Sequence, residues 1–132
     1  MLDCLNEMDG NGLAAIQLGE PIRLIAIACR ENDRKLDCPA LLVNPEISNT
    51  EGEMSDIEGC FSLPGVWLEI RRPNIVHVNA LSIDGSPLSM QFNGYLARGV
   101  MHEIDHLEGR LIWDHLPEPE REKAIKQYLL TL

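Results

Sequence analysis

A chain of 132 residues, 45% apolar and 24% charged, has room for one buried core and no more. No apolar run approaches the roughly eighteen residues that a membrane-spanning helix requires, and a formal charge of −10 argues against direct nucleic-acid binding, which calls for Lys and Arg gathered on one face. That charge is read as a solubility feature of a small protein and nothing more specific.

In chain order, Leu2, Leu5 and Met8 suggest a short helix ending at Asp9-Gly10. Ile22 to Cys29 is a near-continuous apolar run and reads as a buried strand. A polar turn over Glu31 to Asp37 leads to a second strand at Leu41 to Asn44, stopped by Pro45. Val66 to Ile70, Ile75 to Leu81 and Leu88 to Phe92 read as further strands, the last two joined through Asp84-Gly85. After Asn93-Gly94, the apolar residues Leu96, Val100, Ile104, Leu107 and Leu111 recur at helical spacing, with Gly109 as a natural stop. Pro117 and Pro119 are breakers, and a terminal helix is expected from about Glu120. The elements predict an α+β domain in which small mixed strands and sheets pack around a central helix. There are no repeats, linkers or low-complexity stretches.

That central helix carries His102-Glu103-Ile104-Asp105-His106, an H-E-x-x-H pattern. On a helix the two histidines share one face and can hold one metal ion, while Glu103 stands beside them as a proton acceptor for water. Taken alone the pattern also occurs in solvated helices of proteins that bind no metal. The apolar stripe on the same helix favours the metal reading, because histidines on a buried helix point at something other than water.

A hydrolytic site of this kind needs a third protein ligand and an open position. In a metzincin protease the third histidine would fall at position 112, which is Ile112, so that reading fails. Glu118, Glu120 and Glu122 are candidates but sit in a charged tail with no other sign of a site. Cys60 ranks above them. Gly59 before it permits close backbone approach, and Ser62-Leu63-Pro64-Gly65 after it is a turn signal. A thiolate with two imidazoles suits Zn, and also Fe(II), Ni or Co. Cys4, Cys29, Cys38 and Cys60 form no C-x-x-C pair and no signal peptide opens the chain. Reduced thiols in a cytoplasmic compartment are therefore expected, with no membrane association.

Three motifs taken together resemble the peptide deformylases. Gly10-Asn11-Gly12-Leu13-Ala14-Ala15-Ile16-Gln17 is similar to a G-φ-G-L-A-A-x-Q run, with φ aliphatic. Glu58-Gly59-Cys60-Phe61-Ser62 is similar to E-G-C-L-S, and Met101 to His106 to Q-H-E-x-D-H. They stand in the family's order and at similar spacing, and the likeness runs from about Leu2 to about Trp113. The resemblance implies a single catalytic domain over residues 1–132 that releases formate from the N-terminal formylmethionine of new polypeptides. It implies Cys60, His102 and His106 as ligands of one divalent metal ion per chain, Fe(II) in the cell, and Glu103 as the proton carrier. The Gln17 amide and the Phe61 backbone N–H are implied as donors to the oxyanion. The N-formylmethionyl peptide is expected to lie along backbone near Gly12 and Gly59, with its methionine in a pocket built in part by Asn11, Gly99 and Val100. For the last two, ordinary core packing is an equal alternative.

Departures from the family pattern bear on activity. Asn11 replaces an aliphatic wall of the pocket, Phe61 replaces leucine, and Met101 replaces a glutamine beside His102. Members usually carry a further segment before the first motif, whose lack here would expose core surface, so modest stability or a homodimer is expected. In some members a basic terminal helix docks on the ribosome. Here Arg121, Lys123 and Lys126 are balanced by Glu118, Glu120 and Glu122, so at most a weak, transient ribosome contact is expected. Ile125, Tyr128, Leu129 and Leu132 are expected to pack on the domain. The alternatives are a related protein that binds metal or formyl-peptides with little turnover, and an amidase or peptidase acting on another N-acylated substrate.

Overall fold

The structure, a computed structural model, describes residues 12–28, 30–31, 34–35 and 41–132. The expected first helix, Asn11, Cys4, Cys29 and Cys38 lie outside the described residues. The strands are β1 (Gly12–Ala14), β2 (Leu24–Ile27), β3 (Arg30–Glu31), β4 (Arg34–Lys35), β5 (Leu41–Glu51), β6 (Met54–Cys60), β7 (Leu63–Arg72), β8 (Ile75–Leu81) and β9 (Pro87–Asn93). Two α-helices follow, α1 (Gly94–Leu107) and α2 (Glu118–Leu130), with short 3-10 turns at Ala15–Leu18 and Ile112–His115. The fold is α+β, as the pattern of elements predicts.

One antiparallel sheet runs β1-β2-β5-β8-β9. The hairpin β6–β7 stands apart from it, closed by the tight turn between Cys60 and Leu63. The helix α1 lays Ala97, Val100, Met101 and Ile104 on the sheet, where they meet Ile25, Ile27, Leu42, Val76, Val78 and Phe92 in one cluster. Burying each of the larger of these side chains stabilises the fold by about 1.5–3 kcal/mol, so α1 is fixed mainly by packing and not by helix propensity. A second cluster of Leu63, Ile70 and Ile112 joins the hairpin to the C-terminal segment, with Trp113 edge-on to Tyr128 at 5.7 Å between ring centroids.

Glycine is required at both ends of α1. Gly94 enters at φ 58, its N–H bonded to the Asn74 carbonyl, and Gly109 leaves at φ 75. Both angles lie where a β-carbon is strained. Past Gly109, Arg110 N–H returns to the Asp105 carbonyl and closes the helix end.

Three expectations need correction. The strand at Leu41 is not stopped by Pro45 but continues to Glu51. The ladder to β8 shifts register between Val43 and Glu46, with Asn44 at φ 50, and that irregularity takes in the proline, which has no N–H to give a ladder. The terminal helix begins at Glu118, with Pro119 accommodated in its first turn, where an N–H has no helical partner to lose. On that helix Ala124, Ile125 and Tyr128 face the domain, whereas Leu129 is 59% exposed, and Leu132, beyond the helix end, is 83% exposed. The apolar stripe is thus narrower than the sequence suggests. β1, β3, β4 and β6 have no counterpart among the expected strands, the two-residue β3 and β4 pairing across the segment expected as a polar turn. β1 is only three residues long, and β6, Met54 to Cys60, carries Asp56, Glu58 and Gly59 in place of an apolar alternation.

Candidate active site

The two histidines come together because α1 holds them one turn apart. Their rings stand edge to face, centroids 4.8 Å apart. The hairpin turn delivers Cys60 to the same point. The ligating atoms of Cys60, His102 and His106 all lie within 4.8 Å of one another, and Cys60 Sγ is 3.3 Å from His106 Nε2.

Each imidazole is oriented by its other nitrogen. His102 Nδ1 lies 3.0 Å from Glu58 Oε1 and His106 Nδ1 lies 3.1 Å from the Arg110 carbonyl. Both partners are acceptors, so both Nδ1 atoms carry a proton, and the Nε2 atoms are the ones left to serve as metal donors beside Cys60. This is a donor set ready for a metal.

Glu58 is buried among cations. Arg72 donates to both its oxygens, at 2.6 and 2.9 Å, and Arg98 donates to Oε2 as well as to the Ile70 and Met54 carbonyls. Burial works against its charge, but the hydrogen bonds from His102 and Arg72, the Arg72 charge and the bond from Arg98 prevail and hold its pKa at about 2. Arg72 also reaches Asp105 at 2.8 Å, and Asp105 in turn lies 2.6 Å from His115 Nε2. Glu58 lies inside the E-G-C motif and Asp105 inside the H-E-x-D-H motif, but neither motif announces the ion-pair network, and Arg72 and Arg98 carry no signal in the sequence.

The electrostatics favour a cation. Burial opposes ionisation of Cys60, yet bonds with His102 and His106 and the Ser62 N–H at 3.4 Å bring its pKa down to about 5. Burial also opposes protonation of His102, but Cys60, Glu58 and Glu103 outweigh it and raise its pKa to about 10. An environment that draws a proton so strongly to this spot also suits a divalent ion. Glu103 is only 4% exposed, and burial, partly offset by His102 and His106, raises its pKa to about 7. Its Oε2 has no hydrogen-bond partner among the described residues. Gly12 makes room for it, since a β-carbon at Gly12 would stand 2.7 Å from Glu103 Cγ.

Gln17 closes the opposite side. Its Oε1 accepts from the Ala14 N–H at 2.9 Å, and its Nε2 donates to Ser62 Oγ at 3.0 Å and lies 3.9 Å from Cys60 Sγ. A cleft of about 580 Å3 opens over the site, lined among others by Gly12, Gln17, Gly59, Phe61, Gly99 and Glu103. Trp67 forms its rim, 70% exposed, its ring lying on Gly59 so closely that a β-carbon there would meet it at 2.5 Å. Val100, expected near the methionine pocket, does not line the cleft. It is fully buried against the sheet, because it falls on the face of α1 turned away from Gly99 and His102. Met101 is also buried in the apolar core, where its side chain packs in the cluster between α1 and the sheet.

Comparison with known proteins gives a consistent result. The family model of polypeptide deformylase matches residues 1–122. A peptide deformylase of Brucella suis is 42% identical over 130 residues, covering 97% of this chain and 73% of the relative. One from Aquifex aeolicus is 39% identical over 131 residues, covering 97% and 76%. The crystal structure of peptide deformylase from Thermus thermophilus superposes with a TM-score of 0.83 at 35% identity, covering 96% of this chain and 73% of that one. That of Ehrlichia chaffeensis in complex with actinonin gives 0.85 at 31% identity, covering 96% and 76%.

Proposed function

The chain belongs to the polypeptide deformylase family, a family of metallohydrolases that remove the formyl group from nascent peptides, and from that premise we propose how its own residues act. Cys60 Sγ, His102 Nε2 and His106 Nε2 would hold one divalent ion. When bound, that ion supplies Lewis acidity, which lowers the pKa of water and polarises the formyl carbonyl. Fe(II) is our proposal for the cell, drawn from the family, with Zn, Ni or Co able to occupy the same donor set.

Glu103 moves the proton. Its unpartnered Oε2 accepts a proton from the attacking water and delivers it to the amine nitrogen as the carbon–nitrogen bond breaks, releasing formate. Gln17 Nε2 and the Phe61 N–H donate to the carbonyl oxygen as charge develops on it, a role worth about 3–4 kcal/mol for a donor of this type. The substrate lies extended between the β1 edge at Gly12 and the hairpin at Gly59, taking backbone hydrogen bonds as an added strand does. Gly99 leaves space on α1 beside His102 for the methionine side chain. The observation that carries this reading is the meeting of Cys60, His102 and His106 at one point, with Cys60, His102 and Glu103 lining the cleft above it.

The test is formate release from formyl-Met-Ala-Ser by protein loaded anaerobically with Fe(II) or Ni(II), beside Glu103→Gln. Turnover falling by about 10²–10⁴-fold in the variant, at one metal per chain in both, supports the assignment. Equal turnover in the two proteins would remove Glu103 from the mechanism.

A further inference from the structure

We propose that Ser62 is a positioning residue that sets the direction of the Gln17 carboxamide, and so aims its N–H at the developing oxyanion. The inference rests on the oxyanion role given to Gln17 above, and adds what makes that role effective.

A glutamine amide is symmetric in shape but not in chemistry. Rotated by half a turn, it would present a carbonyl oxygen to an oxyanion and repel it. Two contacts select the useful orientation. The Ala14 N–H can only donate, so the atom 2.9 Å from it is the Gln17 oxygen and the nitrogen points the other way. One Nε2 proton then goes to Ser62 Oγ at 3.0 Å, which leaves the other directed along the side of Cys60, whose Sγ is 3.9 Å from Nε2.

Ser62 is placed to do this because it belongs to the metal ligand's own turn. Its backbone N–H lies 3.4 Å from Cys60 Sγ while its hydroxyl holds Gln17, so one residue ties the amide to the ligand across 45 positions of sequence. The backbone contact needs no hydroxyl. Ser62→Ala therefore removes the tie to Gln17 and keeps the N–H to the sulfur. Without the tie, Gln17 is held only at its oxygen by the Ala14 N–H, and its nitrogen can swing out of the position in which the donor matters, a loss of pre-organisation that falls on the transition state and not on ground-state binding.

The experiment is a double-mutant cycle with Ser62→Ala and Gln17→Ala, with Ser62→Thr as the conservative variant, reading kcat, KM and bound metal for formyl-Met-Ala-Ser. The expected result is a kcat reduced about tenfold in Ser62→Ala at nearly unchanged KM, and largely restored in Ser62→Thr. In the Gln17→Ala background, Ser62→Ala should cost nothing further. A full additional loss in that background would overturn the proposal, as would wild-type kcat in Ser62→Ala. Metal content below one per chain in Ser62→Ala would place Ser62 in the metal site through Cys60 and also overturn it. Wild-type kcat in Gln17→Ala alone would instead strike the oxyanion reading on which the proposal stands.

Discussion

Glu58 accepts the Nδ1 proton of His102 at 3.0 Å, joining the hairpin β6–β7 to α1 across 44 positions of sequence. Because Arg72 and Arg98 keep Glu58 ionised, the contact fixes both the tautomer and the direction of an imidazole proposed as a metal ligand. Replacing it with Glu58→Gln leaves two buried guanidinium groups short of their counter-charge. Metal affinity, measured by competition with a chelator, should fall about 10–100-fold, and stability to urea by about 3–5 kcal/mol. Unaltered affinity in a folded variant would mean that His102 is held by its helix alone.

Gly12 is a steric requirement of Glu103. The β-carbon of Gly12→Ala would come within 2.7 Å of Glu103 Cγ and 3.1 Å of both Cδ and Oε1, so the carboxylate must move. A displacement of this order at a proton-transferring group is expected to lower kcat by roughly 100-fold. Metal content should not change, since no ligand is touched. Wild-type turnover in Gly12→Ala would show that the carboxylate has slack.

Val100 separates packing from substrate recognition. Because it is buried against Ile25, Val76 and their neighbours and not in the cleft, Val100→Ala should destabilise the protein by about 1–3 kcal/mol in urea. The KM for a formylmethionyl peptide should stay where it was. A raised KM without loss of stability would return this residue to the methionine pocket.

Acid should weaken the fold through Glu58 and Asp105. The folded pKa of Glu58, about 2, lies below its ordinary 4.5. Asp105 is likewise held below its ordinary value, the bond with His115 and the Arg72 charge outweighing burial. A carboxylate depressed in this way contributes stability that is fully present above its unfolded pKa and is lost as pH falls through the folded one. In protein treated with chelator, so that metal release plays no part, the urea midpoint should decline steadily from about pH 5 to pH 3. Asp105→Asn should show a shallower decline. A midpoint independent of pH over that range would contradict the ion-pair assignment.

Much of the site was legible because it is local. His102, Glu103 and His106 lie within five consecutive residues of a helix, and the helix period alone puts both imidazoles on one face. Cys60 could be ranked first as the third ligand because Gly59 precedes it and Ser62-Leu63-Pro64-Gly65 signals a turn, but the turn falls earlier, at Phe61-Ser62, and Leu63 to Gly65 already belong to β7, which pairs back on Cys60. The strand Ile75 to Leu81 was legible to the residue, since its alternating burial follows a clean two-residue period. The strand beyond Pro45 was not. Its residues Glu46 to Glu51 are exposed and polar, and the proline that appears to end it is absorbed by a shift in register.

The sequence by itself determined the family and the α+β class, and it singled out Cys60, His102, His106 and Glu103 as the proposed ligands and proton carrier, because each depends on residue type at short, fixed spacing. Only the tertiary structure decided which buried groups serve those residues. Glu58 reaches His102, Arg72 reaches Glu58 and Asp105, and Ser62 reaches Gln17 because a separate hairpin folds against α1 and the β1 turn. Partners 14 to 45 positions apart have no period to betray them. Whether a buried charge is paired, or Val100 faces core or cleft, depends on which surfaces close on one another, and that is settled by packing.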